Sequence, residues 1–140
     1  MSQNLYQSAS QAYQKKSDDT LTSLQIVVEL YKGLIKNTRM AKQFWESKQL
    51  DVMCSYIDKN FTILDALQSN LDLENGGEDA VFLNRFYTVI FSSLTLATSK
   101  PDPSLYFDEI ISYIQQVHDR WYLLAYPGQE IPKSEASAPL

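Results

Sequence analysis

The chain is poor in the residues from which catalytic and metal sites are usually built. It has one cysteine, Cys54, and one histidine, His118. A single cysteine forms no internal disulfide, and the apolar helical pattern around Cys54 predicts a small buried hydrophobe. His118 is expected on an exposed or half-buried helix surface, with no nucleophile or cleft that would make it a general base. Inward-facing metal pairs in helical bundles need Glu-x-x-His, and that pattern is missing. Glycines number four and prolines five, which favours helix over sheet. Gly76-Gly77 lacks the preceding strand and the lysine of a phosphate-cradling loop. The 12 basic and 17 acidic residues are interspersed, for a net charge of −5, which argues against binding nucleic acid by phosphate neutralisation. No apolar run approaches the length of a membrane span, and residues 1–10 lack the hydrophobic segment of a secretory leader. These absences predict a cytoplasmic chain without enzymatic activity, cofactor, metal or membrane insertion.

What is present is helical periodicity. Residues 1–21 are rich in Ser and Gln, with isolated Leu5, Tyr6 and Tyr13. Thr22-Ser23-Leu24-Gln25 fits a capping box. Behind it Leu24, Val27, Tyr31, Leu34, Thr38, Ala41 and Trp45 form a heptad stripe on a helix ending near Lys48. A second helix over 50–71 carries Leu50, Cys54, Ile57, Phe61, Leu64 and Leu71, widened by Met53, Ile63 and Leu67. Its aspartates Asp51, Asp58 and Asp65 fall seven apart on one face, read as the solvated one. A third helix over 77–98 repeats the pattern with Ala80, Leu83, Tyr87, Ile90, Leu94 and Ala97. Pro101 and Pro103 stop it. Ser104 is the expected cap of a fourth helix over 105–125, with Phe107, Ile110, Ile114, Val117, Trp121 and Leu124 inward. Short connections force sequential helices to run antiparallel. The expected fold is therefore an all-α, up-down-up-down four-helix bundle over 22–125. A mobile N-terminal segment (1–21) and a disordered tail (126–140) flank it.

The third helix carries more apolar residues than a bundle face needs. Phe82, Phe86, Val89 and Leu96 make a second stripe, joined by Phe91. With Ile57 and Phe61 of the second helix and Tyr113 of the fourth, they are the expected lining of a groove for an amphipathic partner helix. Tyr56, Tyr106, Tyr113 and Tyr122 lie off the core stripes and suit a partly wet contact surface. Tyr6 and Tyr13, in an otherwise polar leader, are expected to dock on that groove until a partner displaces them. A bundle with such a surface also suits a homodimeric regulatory protein, or a homologue with another client.

One passage is more distinctive. Leu71-Asp72-Leu73-Glu74-Asn75-Gly76-Gly77-Glu78-Asp79-Ala80 joins a helix stop to a helix start: a glycine takes the positive φ of a C-terminus, and Glu78 and Asp79 favour the dipole of the next first turn. This run, the following Leu83, Tyr87, Leu94 and Ala97, an early Ala12-Tyr13-Gln14 and a late Trp121 together resemble the flagellar export chaperone family (FliS). The resemblance implies a bundle that holds the disordered C-terminal segment of flagellin, blocks premature polymerisation and keeps it competent for flagellar type III secretion. It implies an N-terminal segment capping part of the binding surface. It also implies a role for Tyr13 in docking at the export gate, with Ser10 in place of a hydrophobic residue of some relatives. The implied partners are therefore flagellin and the export gate, for a monomer or weak homodimer. Ser92-Ser93 stand where relatives often carry paired arginines, which implies a divergent member serving another flagellin.

Overall fold

The computed structural model describes Ala12 and residues 22–132. Four helices follow one another: α1 (Ser23–Glu46), α2 (Leu50–Ser69), α3 (Gly77–Leu96) and α4 (Pro103–Ala125), with a 3-10 turn at Ala97–Ser99 after α3. Each neighbouring pair touches at opposite chain ends. On α1 and α2, Phe44 stacks on Tyr56 with ring centroids 5.7 Å apart. On α2 and α3, Gln68 reaches Asn84 while Phe61 meets Phe91. The Gln25 side chain donates to the Ala125 carbonyl, and Lys42 pairs with Asp108 at the far end of the α1–α4 seam. The bundle is antiparallel throughout.

The caps follow from local chemistry. Thr22 and Gln25 exchange side-chain to backbone bonds at α1, closing the expected capping box. At α4 the expectation fails: the cap is Asp102, whose carboxylate accepts from the Leu105 amide, and Pro103 occupies the first helical position. Proline suits that position, since its missing N–H is an orphan there in any case. At the α2–α3 turn, Gly77 has φ +66°, the left-handed conformation expected of a glycine here.

The core stripes of α1, α3 and α4 are buried as their periodicity implies, with Trp45 and Leu124 at the margins. On α2 the phase differs. The buried stripe is Met53, Ile57, Asn60, Leu64 and Leu67, with Leu71 buried just past the helix end, while Leu50 and Cys54 are exposed. Cys54 is thus not the buried hydrophobe that its sequence context suggested. Asn60 takes an inward position because α1 offers it partners: its amide donates to the Leu34 carbonyl at 3.2 Å and to Thr38 Oγ1 at 2.9 Å.

Helix α1 packs closely along both α2 and α4, whereas α3 stands further from its neighbours. Bulky rings fill the gap, with Tyr31, Phe86 and Tyr87 at its centre and the Tyr31 and Tyr87 hydroxyls 2.6 Å apart. The helix Gly77–Ser99 has the length and composition of a membrane span, correcting the expectation that no run approaches it, yet only 39% of its most apolar window is buried in the bundle. Its outer apolar residues are where the fold leaves something unpartnered.

Candidate functional site

The residues expected to line one groove lie on two opposite flanks of α3. Phe82, Val89 and Leu96, spaced by seven, face the α4 side and are 41–49% exposed. Phe91 lies across the helix on the α2 side, its ring 4.5 Å from that of Phe61. Phe86 is 1% exposed, so it is a core residue and not part of an outer stripe. It is pinned edge-on against Tyr113 at 4.9 Å and stacked with Phe82 at 6.3 Å. Ile57 is also buried. Tyr6 and Tyr13 lie outside the described residues.

Phe82 borders two depressions that meet at it. One, of about 600 Å³, lies between the start of α3 and the end of α4 and is lined by Asp79, Phe82, Arg120, Trp121, Leu123 and Leu124. The other, of about 470 Å³, curls around the α2–α3 turn and is lined by Leu73, Glu74, Gly77, Glu78, Val81, Phe82 and Arg85. Leu73, Val81 and Leu123 are each about half exposed here. Sequence reading had not placed them at the surface site. The i, i+4 step from Gly77 to Val81 and the turn position of Leu73 were the available signal. Acidic and basic residues alternate around an apolar floor, which suits the apolar face of an amphipathic helix with its polar edges left in water.

Ala12 belongs to the same corner. It is fully buried, and its carbonyl accepts from the Asp72 amide at 3.0 Å. A Cβ on Gly76 would lie 3.1 Å from Ala12 Cα and 2.6 Å from Ala80 Cβ. The same Cβ would run first into the Asp72 carbonyl oxygen, so the turn and the start of α3 require Gly76 whatever covers them, a reason distinct from the positive φ of Gly77.

Of the off-stripe tyrosines, Tyr113 is exposed along the α3–α4 flank, and Tyr56 and Tyr106 are half-buried beneath Lys59 and Lys100. Tyr122 is instead buried against α1, stacked on Tyr126 at 4.7 Å. His118 is buried too, contrary to expectation, with Nδ1 2.9 Å from Asp119 Oδ1 and 3.3 Å from Gln115 Nε2. All three groups sit on one helix, and neither partner is a nucleophile. Among the described residues no three His, Cys, Asp or Glu side chains gather as a metal site.

Comparison with known proteins agrees with this architecture. The chain is 30% identical over 115 residues to the flagellar secretion chaperone FliS of Vibrio cholerae, covering 79% of this chain and 84% of that one. It is 30% identical over 92 residues to the flagellar secretion chaperone FliSB of Pseudomonas aeruginosa, covering 66% and 72%. The profile of the flagellar protein FliS family matches residues 5–126. Taken with the four-helix architecture, that match over nearly the whole chain means that the protein belongs to the FliS family.

Proposed function

We propose that this protein is a cytoplasmic chaperone for flagellar type III secretion, holding the C-terminal segment of flagellin as a helix on the α3–α4 flank. The observation that carries the reading is the row Phe82, Val89 and Leu96, half exposed beside Tyr113 and continuous with the depressions around Phe82. Three apolar residues at intervals of seven repeat about every 10 Å along α3. That pitch matches the i, i+7 anchors of a docked amphipathic helix. The chemistry needed is burial alone. A flagellin segment that would otherwise find its own kind is covered, in a soluble 1:1 complex. Ordering such a segment opposes binding by about 2–5 kcal/mol or more, so the contact must extend beyond one pocket.

Isothermal titration with a synthetic C-terminal flagellin segment tests this. Saturable 1:1 binding, a negative heat-capacity change and a gain in peptide helicity are expected, with Phe82→Glu abolishing binding at unchanged bundle helicity. Normal binding by Phe82→Glu would remove the α3–α4 flank from the reading. No binding by the folded wild type at micromolar concentrations would remove flagellin as the client.

A further inference from the structure

We propose that the other flank of α3, its seam with α2, is a second docking surface, made for a basic amphipathic helix of a partner protein about three turns long. This goes beyond the reading above and stands whether or not the α3–α4 flank takes flagellin. The seam is closed at one end by polar contacts, where Gln68 Nε2 donates to the Asn84 carbonyl at 3.2 Å and to Thr88 Oγ1 at 3.0 Å. Toward the other end it turns apolar. Phe61 and Phe91 lie in ring contact, Ile57 is buried one turn before Phe61, and Leu50 and Phe91 are each about half exposed. From Phe61 back to Leu50 is about 16 Å of helix, the length of three turns.

Charge selects the occupant. Asp51, Asp58 and Asp65 are exposed on α2 and recur about every 10 Å along one edge of this apolar strip. They lie three or four residues from Cys54 and Phe61, hence beside them on the helix surface. None of the three forms an ion pair among the described residues. The one base on α2, Lys59, sits 4.4 Å over the Tyr56 ring on the α1-facing side and leaves the rail uncompensated. Helix α3 runs beside α2 only as far as Leu96, and there its rim residues Thr88 and Thr95 are exposed and uncharged. An occupant therefore needs apolar anchors flanked on one side by Lys or Arg at heptad spacing. The same rail disfavours anionic lipid and nucleic acid. It also disfavours an antiparallel twofold pairing of this face with a second copy of this chain, which would set the aspartates against one another.

The test uses the full-length protein and two labelled 18-residue peptides with identical leucine stripes, one flanked by lysines and its twin by glutamates. Anisotropy at low salt is expected to show the lysine peptide binding at least tenfold tighter than its twin. Asp51→Asn/Asp58→Asn/Asp65→Asn and Phe91→Ser are each expected to weaken it at least tenfold. Phe82→Ser, on the other flank, is expected to leave it unchanged. Circular dichroism confirms that each variant is folded. Equal binding of the twins, no binding at 100 µM peptide as a concentration on the order of that for weak helix–groove contacts, or loss with Phe82→Ser in place of Phe91→Ser would each overturn the proposal. So would sedimentation as a dimer that Phe91→Ser dissociates.

Discussion

Asn60→Leu should stabilise the bundle although it deletes two buried hydrogen bonds. Asn60 is fully buried and donates to Leu34 O and Thr38 Oγ1, but its own Oδ1 has no partner among the described residues. Each donated bond contributes about 0.5–1.5 kcal/mol net, so the substitution forfeits about 1–3 kcal/mol. Burying an unsatisfied amide oxygen costs about 1–3 kcal/mol, which the substitution removes. The groups left behind are not stranded, because Thr38 Oγ1 still donates to the Leu34 carbonyl at 2.7 Å. Burial of a leucine side chain contributes about 1.5–3 kcal/mol, reduced by about 1–2 kcal/mol because a branched group must fit a site shaped around a planar amide. The balance is a gain of about 1 kcal/mol, or about 3–5 °C in Tm for a domain of this size.

Urea titration followed by circular dichroism is the assay, with an unchanged m-value required before the midpoint is converted to stability. Asn60→Ala, which loses the bonds and leaves a cavity, should instead cost about 2–3 kcal/mol. Thr38→Val should cost about 1–2 kcal/mol alone and much less in the Asn60→Leu background, since the two side chains share one network. A loss of more than about 1 kcal/mol in Asn60→Leu would refute the reasoning, because it would mean that Oδ1 is satisfied in solution.

Phe86→Ala should destabilise by about 3–5 kcal/mol and Phe82→Ala by about 1 kcal/mol or less, a contrast read in thermal melts that equal losses would contradict. Gly76→Ala should cost about 1–3 kcal/mol through overpacking against the Asp72 carbonyl, Ala80 and Ala12; Gly77→Ala should cost about 1–2 kcal/mol through its positive φ, and each should lower the urea midpoint. Thr22→Ala should remove about 1 kcal/mol by opening the capping box at α1, seen as a lower urea midpoint. Deleting residues 1–18 removes Ala12, so it should lower stability while strengthening binding of the flagellin segment. Unchanged or weaker affinity would count against a capping role for the leader.

Three of the four helices could be read in phase because their inward positions are almost all apolar. On α2 the inward residue Asn60 is polar, and a stripe built from apolar residues alone drifts to Leu50, Cys54 and Phe61 instead. The seven-residue spacing of Thr38 from Tyr31 and Trp45 placed Asn60's partner in the core, but pairing across helices is not visible along one of them. The Asp102-Pro103 start of α4 was legible in principle, since an Asx before a proline is a cap followed by a first-turn residue. Reading Pro103 only as a breaker hides it. Tyr122 and His118 were misplaced for a packing reason: the close approach of α1 to α4 widens the buried arc of α4 beyond one stripe. The apolar excess of α3 was visible in sequence. Its division between two flanks was not, because Phe82 and Phe91 differ by nine residues and the helix turns 100° at each.

That division follows from how the bundle is held together. Helix α1 is the element against which α2 and α4 pack closely, and it supplies both ends of the α1–α4 seam with polar contacts. Helix α3 is kept off its neighbours by Phe86, Tyr87 and Tyr31, and a helix held at a distance by rings leaves a shallow seam on either side. Bringing α3 closer would bury Phe82, Val89 and Phe91 and close both seams. Substituting smaller residues at Phe86 or Tyr87 should therefore act on recognition as well as on stability. Partial collapse of α3 toward α1 would narrow the α3–α4 flank, so a Phe86→Leu variant that remains folded should bind the flagellin segment more weakly although residue 86 is buried and cannot touch it. If Phe86→Leu binds as tightly as wild type while losing stability, the rings fill space without setting the width of the seams.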